Sequence, residues 1–510
     1  MIDYRFIRYI TWFIMFSFSA LGGSLSDTMR RLSRSLRLLA YMTPWIVIGF
    51  GRVIGKELLV IDTMQLVFLF LSTIVCIAIS LYSEGYLRIL FGKTSSIQII
   101  MDASLTLLVM LFMARNLLEL TILWISVEFI AFLMILLEKG IENWNIGMKY
   151  LIVCATVGDL SLFTWIAVSS IRLGLERALI QDFIWLSSAN IRADPVITIL
   201  LLIGFMAKLA QIPLHFWLVD TYTEAPSPVS AIFSGLMSKM AVYGILRLYD
   251  TVLLSRPVYT ALLLILGFIT VVYASIMAVA QTDIKKMIAY SSMSHYGVMA
   301  MLLGLVPFND MVKMVLYIYV LYHGVVKAHV FTNIATIEIL VNIRDLYRLG
   351  YLSKIAHKIY EEVIYGVLSL IGLPPSLGFL AKLIVIYMAL VMVAEGYLFA
   401  FLFLIGIIIA SVFSIIYSIK YLGAYVGSYV ETPIKPVVNV SRLQYYSELF
   451  LAYTSVILPV ILMVLMPMGI LYPTILLVYL VFLATLFVSR IIYNKLPVYE
   501  TSIWLGGVET

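Results

Sequence analysis

The chain has 510 residues, 63% of them hydrophobic and 12% charged, with a formal net charge of +6. Ordinary soluble domains are about 25% charged, and the mean hydropathy here is +1.05. This composition excludes a soluble globular enzyme. Apolar runs of about 20 residues recur along the whole length, which excludes a transmembrane β-barrel built of short alternating segments.

The hydropathy pattern predicts an all-α polytopic membrane protein of about 14–15 transmembrane helices. In chain order these are 9–23, 38–51, 62–82, 97–115, 118–137, 149–171, 195–212, 226–249, 258–280, 286–306, 311–334, 361–392, 396–421, 447–470 and 473–492. The first two read as short, either interfacial or tilted. The first ends at Gly22-Gly23 before the basic stretch Met29–Arg37 without a small-residue cleavage site, so it is read as a retained helix and not as a signal peptide. Lys and Arg in the connections set orientation. With the N-terminus outside, nineteen fall on the inner side and eleven on the outer. The net charge thus belongs to the loops, and no basic patch interleaved with aromatics suggests nucleic-acid binding.

Two predicted helices carry internal breaks. The seventh has Pro213 after Lys208-Leu-Ala-Gln-Ile, and the twelfth has Gly372-Leu-Pro-Pro375 before Phe379-Leu-Ala-Lys382. Proline removes a backbone hydrogen bond and clashes with the preceding turn. Such breaks survive at membrane depth only inside protein or along a wet cavity. Interrupted helices at corresponding places in two halves point to inverted repeats. The predicted organisation is N-terminal helices 1–3 over residues 1–96, a first inverted repeat of helices 4–8 over 97–249, a second of helices 9–13 over 250–425, and C-terminal helices and a tail over 426–510. Broken helices 7 and 12 occupy corresponding places in the two repeats.

Four charges, Glu128, Lys208, Lys239 and Lys382, lie deep in apolar spans. A charge at the bilayer centre costs roughly 2.5–3.5 kcal/mol on insertion scales and marks function by default. Burial lowers the pKa of an amine, so Lys208 and Lys382 can switch between charged and neutral beside the breaks; the alternative is static lysines satisfying freed carbonyls. Glu128 reads as the counter-ion of Lys208, or as a structural buried bridge. Lys239, with Tyr243 four residues on, can continue the path sideways. In Tyr322-His-Gly-Val-Val-Lys-Ala-His329, His323 and Lys327 share one helix face and suit a relay from Lys239 to Lys382. His329 points elsewhere. His295 and Asp159 are further candidates, for a relay and for proton entry, with plain hydrogen bonding as the alternative.

Cys76 and Cys154 lie in apolar spans and form neither an iron–sulfur set nor a disulfide framework. His215, after the break, lacks further ligands nearby, so no metal site is predicted. There is no phosphate loop or nucleophile elbow. No cofactor is expected in this chain. Iron–sulfur or nickel–iron centres linked to it belong on partner subunits.

Several stretches resemble the proton-conducting membrane transporter family. They are GFMAKLAQIPLHFWLVD (204–220), EAPSPVSA (224–231), DIKKMIAYSSMSH (283–295), Tyr322-His323 with Lys327, and Leu373-Pro374-Pro375 with Gly378-Phe-Leu-Ala-Lys382. Its members are antiporter-like subunits of complex I, of membrane-bound hydrogenases and their sulfur-reducing relatives, and of Mrp-type antiporters. The resemblance covers roughly residues 100–425. It implies fourteen core helices, two inverted five-helix repeats and a half-channel in each repeat joined by a central hydrophilic axis. It also implies that Glu128 is the fifth-helix glutamate, Lys208 the seventh-helix lysine, Lys239 the eighth-helix lysine and Lys382 the twelfth-helix position. Some branches instead carry an eighth-helix histidine about one turn earlier, where this chain has Ser234, or a glutamate at the twelfth-helix position. These choices are most similar to the Mrp D-type and hydrogenase-type branches.

The expected function is proton, or Na⁺/H⁺, translocation as a membrane subunit of a respiratory-type redox complex, in a prokaryotic cell membrane. Its expected partners are the lipid bilayer, other membrane subunits and a peripheral redox arm, with the tail Glu500–Glu509 docking on a neighbour. The alternatives are a subunit of an Mrp-type Na⁺/H⁺ antiporter without a redox partner, and a non-conducting membrane anchor.

Overall fold

A computed structural model of the chain describes residues 4–137, 140–427, 439–465, 476–482, 484–485 and 488. Fourteen of the predicted helices are present. They are α1 (Tyr4–Ser24), α2 (Arg30–Val53), α3 (Thr63–Phe91), α4 (Ser95–Phe112) and α5 (Leu117–Ile135), then α6 (Trp144–Leu173), α7a (Pro195–Lys208), α7b (Leu218–Glu224), α8 (Ser227–Thr251) and α9 (Arg256–Ala280). They continue as α10 (Ile284–Leu305), α11 (Met311–Val341), α12a (His357–Ile371), α12b (Leu377–Ala394), α13 (Phe399–Val426) and α14 (Arg442–Leu465). The predicted span 473–492 and the tail lie largely outside the described residues. Among the described residues eleven helices are long and apolar enough to cross a membrane. Helices α2, α7a and α10 complete the set despite greater polarity or shorter length.

The helix starts follow from their caps. Asp62 and Gln65 form a reciprocal capping box at α3, and Asn116, Asp194, Asp283 and Ser376 accept backbone N–H groups at α5, α7a, α10 and α12b. The predicted twelfth span 361–392 is two helices. Gly372 ends α12a at φ +86°, Pro374 and Pro375 have no N–H to continue it, and Ser376 starts α12b. The seventh span breaks at Lys208, before 212, and Ala210 takes a positive φ. Two helices hold π-helical turns, Leu151–Thr156 in α6 and Phe233–Met237 in α8. Such turns cannot be read from hydropathy and often mark functional positions.

The first two helices differ from the expectation. Helices α1 and α2 are 21 and 24 residues long and pack on each other. Several residues counted with the loop cations are buried ion-pair partners instead. Arg37 is fully buried, donates to Glu84 at 2.5 Å and to the Ser80 carbonyl at 2.8 Å, and lies 3.8 Å from Asp102. Arg34 and Arg88 also reach Glu84. Arg8 pairs with Glu119, and Arg247 with Asp62. The charged residues inside α1 and α2, among them Arg8, Arg34 and Arg37, made these helices look shorter than they are. Arg37→Met leaves the buried Asp102 without a counter-charge and Glu84 with only the partly exposed Arg34 and Arg88, and breaking a buried pair in this way costs about 3–5 kcal/mol. A clear fall in detergent melting temperature is expected, with a smaller fall for the partly exposed Arg34→Met.

The core runs through α8 and α11. Every residue in the apolar window of α8 is buried, and α11 is nearly as enclosed. Helices α3, α10, α12b and α14 pack around α11. Polar side chains on α8 and α11 therefore meet protein rather than lipid, the condition under which ionisable groups are tolerated in membranes.

Candidate functional site

The first cluster joins α5, α6 and α7a. Lys208, the last residue of α7a, donates to Glu128 Oε1 at 2.9 Å and to the Tyr150 hydroxyl at 2.9 Å. Trp124 lies one turn before Glu128 on the same face and donates from Nε1 to Oε1 at 3.0 Å. Glu128 and Lys208 are each about 1% exposed. Glu128 Oε2 and Asp159 Oδ1 are buried without a hydrogen-bond partner among the described residues. Asp159 sits one residue beyond Gly158, which faces the Glu128 carboxylate. One oxygen of each carboxylate is thus free to take a proton or water.

Tyr150 stacks on Phe233, and Phe233 contacts Tyr222 on its other side. This apolar ring separates the first cluster from the hydroxyls around Lys239. Beyond it, Tyr222 and Tyr296 share a hydrogen bond at 3.0 Å, Tyr296 donates to Ser234 Oγ, and Ser234 meets Ser292 at 2.9 Å.

Lys239 emerges just after the π turn of α8. Its ammonium donates to the Ser234 carbonyl and to Ser238 Oγ, and lies 2.6 Å from His323 Nδ1. The His323 and His295 rings are 5.4 Å apart, and His323 Nε2 is without a hydrogen-bond partner among the described residues. His295 Nδ1 meets the Tyr319 hydroxyl at 2.5 Å, and its Nε2 meets the Tyr417 hydroxyl at 3.3 Å. His295, a secondary candidate from sequence, therefore stands between His323 and α13. Lys327 donates to Ser291 Oγ at 2.5 Å and lies 6.0 Å from the Tyr417 ring. The Tyr417 hydroxyl also sits beside Ser291 and Ser414.

Lys382 donates to Ser414 Oγ at 2.6 Å and to the carbonyls of Leu370 and Ile371 at 2.6 and 3.1 Å. These carbonyls end α12a and are freed by the break. The ammonium also sits at the negative end of that half-helix. The two lysines expected as a matched pair are held differently: Lys208 by a carboxylate and Lys382 by backbone.

The fold brings Glu128 and Lys208 into one buried cluster and Lys239, His323, His295, Lys327 and Lys382 into a second buried string that reaches α13, with Phe233 between the two. It leaves Tyr243 outside, since that hydroxyl binds the Ala114 carbonyl and receives Arg247. His215 packs on Tyr273, away from the string. Sequence reasoning missed Tyr150, Ser291, Tyr417 and Ser414, which come from distant helices. Only Trp124, at i−4 from Glu128, carried a local signal.

The fold and this string define an antiporter-like polytopic membrane protein. The chain belongs to the family described as NADH:quinone oxidoreductase/Mrp antiporter, TM, which matches residues 114–414. It is 30% identical over 281 residues to NAD(P)H-quinone oxidoreductase chain 4-2 of Synechocystis sp., covering 54% of this chain and 48% of that protein. It is 27% identical over 348 residues to the hydrogenase-4 component F homolog of Methylacidiphilum infernorum, covering 64% and 71%. It is 31% identical over 206 residues to a Na(+)/H(+) antiporter subunit from Alkalihalophilus pseudofirmus, covering 40% and 41%. The chain spans about half the length of the first of these relatives. A chain in the structure of the Mrp complex from Dietzia sp. DQ12-45-1b shares the fold, with TM-score 0.70 and 16% identity, covering 91% of this chain and 95% of that one.

Proposed function

We propose that this chain is the proton-translocating, or Na⁺/H⁺-translocating, subunit of a multisubunit redox complex of the prokaryotic cytoplasmic membrane, of the hydrogenase, sulfur-linked or NADH:quinone oxidoreductase type. The observation that carries this reading is the buried sequence Lys239–His323–His295–Tyr417, with Lys327 and Lys382 coupled through Ser291 and Ser414. Chains of ionisable and hydroxyl groups at membrane depth suit proton relay. In this reading, a change in Glu128–Lys208 pairing releases the Lys208 proton, and water bridging past Phe233 delivers it to Lys239. The ions handled are protons, or protons exchanged for Na⁺. Electron-transfer centres, iron–sulfur or nickel–iron, belong to a peripheral arm on partner chains, since neither cysteine here meets a second thiol.

The two breaks, each next to a buried lysine, support helices 4–8 and 9–13 as inverted repeats over 97–249 and 250–425. The Lys and Arg distribution supports an outside N-terminus. The likeness to a chain of an Mrp complex favours a second reading, a Na⁺/H⁺ antiporter subunit without a redox partner. Copurification separates the two: a nickel–iron or iron–sulfur subunit supports the first, and small membrane subunits alone the second.

The test of conduction is Lys239→Met and His323→Ala in the complex reconstituted into vesicles with a lumenal pH dye. Each is expected to cut proton transport by about a hundredfold, the usual worth of a positioned proton donor, with the complex still assembled. Unchanged transport after combined loss of Lys208, Lys239 and Lys382 would overturn the reading in favour of a non-conducting anchor.

A further inference from the structure

His329 lies six residues beyond His323 on α11 and faces away from the proton string. It meets α12a and α14, where Glu362 and Glu448 approach. All three side chains are buried, and one ligand atom from each lies within 4.8 Å of the others. His329 is 1% exposed and Glu362 is 0% exposed. Among the described residues, neither nitrogen of His329 and neither oxygen of Glu362 has a hydrogen-bond partner. A neutral imidazole carries one N–H, and leaving it unmade in the interior is costly. Two buried carboxylate oxygens without donors are costlier still. Among the described residues no Lys or Arg forms an ion pair with Glu362 or Glu448.

Glu448 is aimed by its neighbours. Asn333 Nδ2 donates to its Oε2 at 3.0 Å and the Thr336 hydroxyl donates to its Oε1. Asn333 is fixed in turn by the hydroxyls of Tyr421 and Tyr425, which donate to Asn333 Oδ1. Such an outer layer orients a ligating carboxylate. On α12a, Gly366 lies one turn after Glu362, and a Cβ there would come within 3.1 Å of His329 Nδ1. The missing side chain makes room for the imidazole beside Glu362.

We propose that His329, Glu362 and Glu448 form a binding site for a first-row divalent cation of the Zn²⁺ or Mn²⁺ class, tying α12a to α11 and α14. One imidazole with two carboxylates suits these ions, whereas Mg²⁺ and Ca²⁺ prefer oxygen alone. Three protein ligands leave a coordination position for water. The ion would neutralise two buried carboxylates at once. It would also brace the half-helix whose last carbonyls hold Lys382. No motif announced the site, because its ligands come singly from three helices.

The test uses the assembled complex, stripped with chelator and titrated with ZnCl₂ alone. The wild type is expected to bind about one more ion per copy of this chain than the variants do, and to melt at a higher temperature when loaded. Glu362→Gln and His329→Leu should each weaken this binding by roughly tenfold or more and remove the melting shift. Mn²⁺ bound to the wild type should show ¹⁴N coupling to an imidazole in pulsed EPR, absent in His329→Leu. Glu362→Gln keeps the volume of the side chain, so it remains informative if His329→Leu does not assemble. Equal Zn²⁺ binding by wild type and Glu362→Gln, or a Mn²⁺ spectrum without nitrogen coupling, would overturn the site.

Discussion

Lys208→Met is expected to abolish ion transport by the assembled complex while leaving the other subunits in place. The amine joins the Glu128 carboxylate to the Tyr150 hydroxyl, both at 2.9 Å, and methionine supplies similar volume without a proton to move. A proton-transfer group so placed is worth about a hundredfold or more. The same substitution strands Glu128 with Trp124 as its remaining donor. Leaving one charge of a buried pair uncompensated costs about 3–5 kcal/mol, unless the carboxylate protonates. Adding Glu128→Gln should therefore recover most of the lost thermal stability and none of the transport. That double-mutant comparison separates a switching pair from a structural one. Vesicle flux and detergent melting curves read the two effects independently, and unchanged flux in Lys208→Met would remove the pair from the path.

Gly378→Ala should be nearly as damaging although it changes no titratable group. A Cβ at 378 would overlap the carbonyl oxygen of Ser369 across the break and come within 2.9 Å of the Tyr322 ring. The nearest obstacle is backbone, so the two halves of the twelfth helix must separate. Overpacking of this kind costs about 3 kcal/mol. Separation also draws the Leu370 and Ile371 carbonyls away from Lys382. Transport and melting temperature are expected to fall together. Gly423→Ala on α13, with open space at its Cβ, should change neither. Normal transport in Gly378→Ala would show that the close approach of α12a and α12b does not position Lys382.

Much of this was legible in the chain because of what lipid demands. An apolar stretch of about 20 residues has one stable fate, so helices, breaks and the costly charges Glu128, Lys208, Lys239 and Lys382 could be read directly. Helix ends were less legible where polar residues are buried in pairs. Arg37 looks like a loop cation until Glu84 and Asp102 are seen opposite it. The π turn before Lys239 left no trace in hydropathy, yet its Ser234 carbonyl accepts from the Lys239 amine.

By itself, then, the sequence determined that the chain is a helical membrane protein with interrupted helices and a handful of ionisable groups whose burial needs a use. Those follow from local periodicity and transfer energy, which each segment carries alone. Only the tertiary structure decided which groups meet. It placed His295 between His323 and Tyr417, gave Lys208 a carboxylate and Lys382 a helix end, and turned His329 away from the string towards Glu362 and Glu448. Such contacts depend on how helices far apart in sequence rotate and pack against one another, and no single segment encodes that.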